Sequence, residues 1–225
     1  MDASLRAVSD QIDDATQRLL GTARQLTDPA LREPSLLPGW TRGHVLTHLC
    51  RGADAMRNLL AGARAGQDRP AYASVHARED DIAQGAGRAA AELMADLAAS
   101  AMALRAVARG LPDGAWQYPV EVLGSPRFPA AGVLTRRLVE VELHHADLGS
   151  GYTPADWPAS FAGLGLPEPM RGQRDSRLAR GARRGGRRGR RPAHAPGRAG
   201  PGRAGHRRAR PGGDRDRRRG PRDAL

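Results

Sequence analysis

Glu140-Val-Glu-Leu-His144-His-Ala-Asp147-Leu-Gly149 decides how this chain is read. Residues four apart stack on one face of an α-helix, so Glu140 and His144 can aim a carboxylate oxygen and an imidazole nitrogen at one point. Val133, Leu134, Leu138, Val141 and Leu148 trace an apolar side for the same segment, which the spacing extends from Ala130 to Leu148, behind Pro129 and ahead of Gly149. A carboxylate on a core-facing side is costly without a partner. A third donor, His48, closes Trp40-Thr-Arg-Gly-His-Val-Leu-Thr-His48, where Val45, Leu46, Leu49, Ala53, Met56 and Leu60 form another apolar stripe. Two imidazoles and one carboxylate would leave a coordination position open, as catalytic zinc sites do. On pattern alone a metal site and a buried, hydrogen-bonded His/Glu cluster account for these residues equally well, and Glu/His pairs at this spacing also occur on helix surfaces. His44, in the first turn, and His145 read as flanking residues.

Working outward, Leu5, Val8, Ile12, Ala15, Leu19 and Leu26 recur in steps of three, four and seven and predict a first amphipathic helix from Ala3 to Leu26. Thr41 is the expected N-cap of a second, running to Ala63. A polar connection then leads into a long third helix, Val75 to Ala108, with Ile82, Leu93, Leu97, Met102 and Val107 as its apolar positions. Trp116 to Phe128 reads as a short hairpin or extended loop, and the helix carrying Glu140 follows. The expected fold is all-α, an up-and-down four-helix bundle over residues 1–165 with a polar cluster in its core.

The net charge of +12 is not spread along the chain. Met1 to Met170 holds 16 Arg against 20 acidic residues, whereas Arg171 to Leu225 holds 20 Arg against four Asp. That tail is built mainly from Arg, Gly, Pro and Ala, too poor in large apolar residues to offset chain entropy, so residues 166–225 are expected to be disordered. Lysine is absent and isoleucine occurs only at positions 12 and 82, the usage of a GC-rich gene such as an actinobacterial one. A single cysteine, Cys50, excludes an internal disulfide and reads as a small core residue, which suits a reducing cytoplasm. The first twenty residues lack a signal-peptide apolar run, and no stretch has the ~18 apolar residues that span a bilayer.

Three segments carry a family resemblance. Leu37-Pro-Gly-Trp-Thr-Arg-Gly-His-Val-Leu-Thr-His48-Leu, Ala71-Tyr-Ala-Ser-Val-His-Ala-Arg78-Glu-Asp-Asp-Ile82 and Glu140 to Gly149 resemble the mycothiol-dependent maleylpyruvate isomerases, whose metal-binding domain is a DinB-like four-helix bundle. The resemblance spans Leu5 to Ala162. It implies that His48, Glu140 and His144 bind a divalent metal, zinc, with mycothiol as thiol cosubstrate. A metal-held thiolate would add to the cis double bond of maleylpyruvate, and rotation and elimination would then give fumarylpyruvate. Arg78 matches a position beside the site that suits an anionic dicarboxylate; its other reading is a solvated charge near a helix start.

Members of this family continue past the bundle into a smaller mixed α/β domain. Here Tyr152 to Ala162 still resembles the family, and the Arg/Gly/Pro/Ala text that follows looks like GC-rich coding sequence read out of frame, which a frameshift between residues 163 and 172 would explain. A basic arm neutralising RNA or DNA phosphates is the alternative, although no aromatic residues interleave the arginines for base stacking. A DinB-like metal-binding thiol transferase, or a regulatory module without catalysis, is the other functional alternative.

Overall fold

The computed structural model describes residues 1–123 and 125–188, with side chains to residue 180. Its frame is four long helices: α1 (Ala3–Ala23), α3 (Arg42–Ala65), α5 (Ala90–Arg109) and α6 (Gly132–Asp147). Between them lie the short α2 (Asp28–Arg32), α4 (Val75–Gly85) and a hairpin of β1 (Pro119–Val120) and β2 (Phe128–Pro129); α7 (Ala159–Ala162) and α8 (Met170–Arg188) follow. Helix α3 packs on α5 and α6, α1 packs on α6, and α4 lies against α3. The expected all-α bundle is present.

Local chemistry sets the helix ends. Asp2 accepts the Leu5 N–H and Thr41 accepts that of His44, whose Nδ1 in turn takes the Thr41 N–H at 3.2 Å, so α1 and α3 begin on side-chain caps. Gly66 ends α3 in the left-handed region, φ 64°, where a side chain would be strained. Leucines and small residues of all four long helices fill the core, with Leu19, Leu49, Leu60, Leu93 and Leu97 fully buried. Buried Glu142 is neutralised on the α1 side of α6, where Arg18 and the Tyr152 hydroxyl each donate to it at 2.6 Å.

The long third helix expected over Val75–Ala108 is two helices, α4 and α5, separated at residues 86–89. Gly85 and Gly87 weaken the helix there, and tertiary contacts fix the break. Asp28 of α2 accepts the Ala90 N–H at 2.7 Å, and the Ala86 carbonyl lies against Gly43, where a Cβ would stand only 2.2 Å from its oxygen. Met102, expected to face the core, is 70 % exposed.

The tail also departs from expectation. Disorder was predicted from residue 166, yet Met170–Arg188 is helical and docks on α6. Met170, Arg174, Arg177 and Leu178 lie at helical spacing and form its inner face: Met170 is buried, and Arg174 donates to the carbonyls of Leu164 at 2.6 Å and Phe161 at 3.3 Å. The remainder of the predicted disorder, 189–225, lies outside the described residues. Among the described residues no helix is long and apolar enough to cross a membrane.

Candidate metal centre

Helix α6 turns four polar side chains, Arg137, Glu140, His144 and Asp147, inward along one stripe, each buried although ionisable. Their spacing of three, four and three is that of one helix face. Helix α3 crosses this stripe and contributes His48. One turn later it carries Gly52, and a Cβ there would lie 2.4 Å from Glu140 Oε1, so only glycine lets the two helices approach with the carboxylate between them. Arg78 comes from α4 and is buried too.

His48, Glu140 and His144 are thus brought together. The two imidazole rings meet edge to face with centroids 4.7 Å apart, and His48 Nε2 stands 3.4 Å from Glu140 Oε1. Arg137 donates to Glu140 Oε2 at 2.8 Å and to the Leu49 carbonyl at 2.9 Å, which holds the carboxylate in place. Asp147 takes His144 Nδ1 at 3.0 Å and the Arg177 guanidinium on both oxygens, Nε to Oδ1 at 3.0 Å and Nη2 to Oδ2 at 2.6 Å. Burial alone would raise the Asp147 pKa; hydrogen bonds from His144 and Arg177 outweigh it and hold the carboxyl below its ordinary value. An ionised carboxylate only accepts, so this contact places the proton of a neutral His144 on Nδ1, with the lone pair at Nε2.

His48 differs. Arg78 Nη2 is 3.3 Å from its Nδ1, and a guanidinium can only donate, so this contact places the proton of a neutral His48 on Nε2. Burial first, and with it the nearby guanidinium charges of Arg78 and Arg137, holds the His48 pKa well below the usual histidine value, so the ring is neutral. Tyr72, under Arg78 at 5.7 Å from guanidinium carbon to ring centroid, is pushed up to about 12, chiefly by burial, and remains a phenol. Trp40 closes the site with its ring centroid 5.6 Å from that of His48.

Among the described residues no group of three His, Cys, Asp or Glu side chains is set closely enough to hold a metal ion as it stands. Arg137 engages Glu140 Oε2, and Arg78 engages His48 Nδ1. The donor set nevertheless fits a metal in kind. His48 Nε2 and His144 Nε2 are buried without hydrogen-bond partners, a costly state for imidazoles in a core, and Glu140 Oε1 faces the same space. Ligation through His48 Nε2 would require Arg78 to release Nδ1 and the ring proton to move there from Nε2.

The flanking histidines stay out of the centre. His44 caps α3 and stacks on Trp40, while His145 turns to the far side of α6, sharing a 2.7 Å hydrogen bond with Thr22 and stacking 3.7 Å from Tyr152. Cys50 is a buried core residue whose thiol burial pushes up to about 12, so it is no nucleophile. Sequence reasoning passed over Arg137 and Asp147, which stand three residues before Glu140 and three after His144; that spacing was the available signal. Trp40 was legible only as part of a motif. Arg177 had no local signal, its partner being thirty residues away in a different element.

Comparison with known proteins supplies the relationship. The family described as mycothiol maleylpyruvate isomerase N-terminal domain matches residues 12–149, from within α1 through the end of α6. Among solved structures, a mycothiol-dependent maleylpyruvate isomerase is 29 % identical with a TM-score of 0.68, the match covering 70 % of this chain and 66 % of that one. A histidine-to-alanine mutant of the mycothiol-dependent maleylpyruvate isomerase matches at 28 % identity with the same TM-score and coverage. The chain therefore spans slightly less than two thirds of the length of these isomerase chains. No curated protein matches it. With all of α3 and α6 inside the matched region, the chain belongs to the mycothiol maleylpyruvate isomerase N-terminal domain family.

Proposed function

We propose that the chain holds a divalent metal, zinc, on His48, Glu140 and His144 and serves thiol-dependent isomerisation of the maleylpyruvate type. One observation carries this reading: His48 Nε2 and His144 Nε2 are buried without hydrogen-bond partners on rings 4.7 Å apart, with His48 Nε2 3.4 Å from Glu140 Oε1, within a bundle of this family. Nitrogen and carboxylate donors suit zinc, which when bound lowers the pKa of a thiol so that mycothiol reacts as thiolate. That thiolate would add to the cis double bond with the electron pair moving onto the adjacent carbonyl as an enolate, the former double bond would rotate as a single bond, and collapse of the enolate would expel the thiolate and leave the trans double bond.

The chain's own part is orientation and charge. Asp147 holds His144 in the ligating tautomer, and Arg137 holds Glu140. Arg78 has a buried Nε without a partner in addition to the Nη2 on His48, so it can pair with a substrate carboxylate through two parallel N–H donors. Moving to that carboxylate would take Arg78 off His48 Nδ1, so substrate binding and His48 ligation favour the same arginine position. Trp40 and the surrounding core limit water at the site. A reducing cytoplasm is the compartment that suits a free thiol cosubstrate.

Zinc-loaded protein supplied with mycothiol should convert maleylpyruvate to fumarylpyruvate, and His144→Ala should abolish conversion. The second reading is a metal- and thiol-binding module without turnover. Bound zinc with no mycothiol-dependent conversion would decide for that module.

A further inference from the structure

The carboxylate that orients His144 is itself held from outside the family domain. The matched region ends at residue 149, and α8 begins at Met170, so Arg177 belongs to a segment the family match does not include. Its guanidinium nonetheless grips both oxygens of Asp147, and its Nη1 donates to the Gln173 carbonyl at 3.1 Å within α8. The pair is well enclosed, with 12 % of the Arg177 side chain and 5 % of the Asp147 side chain exposed. Met170 and Arg174, on the same face of α8, anchor the helix against the α7 region, so Arg177 is presented by a docked element.

We propose that Arg177 is a positioning residue for the metal centre: by gripping both oxygens and fixing the plane of Asp147, it keeps Oδ2 on His144 Nδ1 and so orients the imidazole with Nε2 turned into the site. The inference rests on the reading of His144 as a metal ligand. A bidentate guanidinium leaves a carboxylate little freedom to rotate, and Asp147 Oδ2 accepts from Arg177 and His144 together. Without the arginine, a buried carboxylate would keep one partner and lose the fork that orients it. Outer partners of ligating histidines typically contribute about ten- to a hundredfold in metal affinity.

The test uses the full-length chain and two readouts. Competition of zinc against a chromophoric chelator should show an affinity loss of about tenfold or more for Arg177→Gln, an intermediate loss for Arg177→Lys, and none for Arg171→Gln on the outer face of α8. Asp147→Asn should reproduce the loss, and adding Arg177→Gln to it should cost nothing further, since the arginine acts through the aspartate. Long-range proton–nitrogen NMR of the metal-free protein should show His144 as the Nδ1–H tautomer, and a mixture of tautomers in Arg177→Gln. Unchanged affinity and tautomer in Arg177→Gln would overturn the proposal, as would an equal loss in the Asp147→Asn background. If the parent chain binds no zinc, the metal reading fails separately, and the tautomer comparison alone upholds or overturns the role of Arg177.

Discussion

At the scale of single residues, the centre depends on small clearances and on which nitrogen holds a proton. Gly52 is the sharpest case, because a methyl group there would meet Glu140 Oε1 at 2.4 Å and the helices on either side are fully packed. Gly52→Ala should lower thermal stability by about 1–3 kcal/mol, as overpacking does, and should weaken zinc retention by displacing the carboxylate. Arg78 acts in the opposite direction on the metal. Removing a cation that donates to His48 Nδ1 frees that nitrogen, so Arg78→Met should tighten zinc binding in chelator competition while raising KM for a dicarboxylate substrate. Weaker zinc binding in this variant would mean that Arg78 supports ligation instead of competing with it. Much of this scale was legible beforehand: Glu140, His144 and His48 declare themselves by helical period and apolar neighbours. Arg137 and Asp147 sat in the same stripe, but a charged residue three positions from another reads equally well as a surface pair until burial is known.

Among the elements, the informative cases are those where tertiary contact overrode periodicity. Within Val75–Ala108 the local signal for a break is Gly85 and Gly87 on either side of Ala86, each weakening a helix by about 1 kcal/mol against alanine, although Arg88 and Ala89 beyond them are good helix formers. What the local pattern does not contain are the contacts that fix the break there: Asp28, fifty-eight residues before Ala86, and the close passage of Gly43 against Ala86. Asp28→Ala should therefore cost about 1 kcal/mol through loss of the α5 cap, measurable as a shift in urea midpoint at unchanged slope. The tail helix was hidden for a different reason. Composition averaged over fifty-five residues reads as disorder, whereas four positions, Met170, Arg174, Arg177 and Leu178, suffice to dock α8. A chain ending at residue 188 should keep the zinc affinity of the full chain, and one ending at residue 169 should lose as much as Arg177→Gln.

For the whole molecule, the cost of burying histidines appears as pH dependence. Burial, with the Arg18 charge, lowers the His145 pKa from 6.5 to about 4, and His48 is shifted in the same direction by its burial. Both rings are neutral in the fold, while the unfolded chain takes up protons near pH 6.5. Stability is therefore undiminished by His145 above pH 6.5 and erodes as pH falls toward 4, and His48 acts in the same direction. The depressed Asp147 contributes in a lower window, lost only as pH falls below the ordinary aspartate value of 3.8. Metal-free protein should show a falling urea midpoint across the histidine window, and His145→Gln should flatten that slope; a slope unchanged by the substitution would place the proton uptake elsewhere. The most direct test of the central claim is the zinc content of purified full-length chain beside His48→Ala, Glu140→Gln and His144→Ala. The parent should carry near-stoichiometric zinc and each variant should lose it, whereas a metal-free parent, or variants that retain stoichiometric zinc while folded, would contradict the assignment of His48, Glu140 and His144 as one centre.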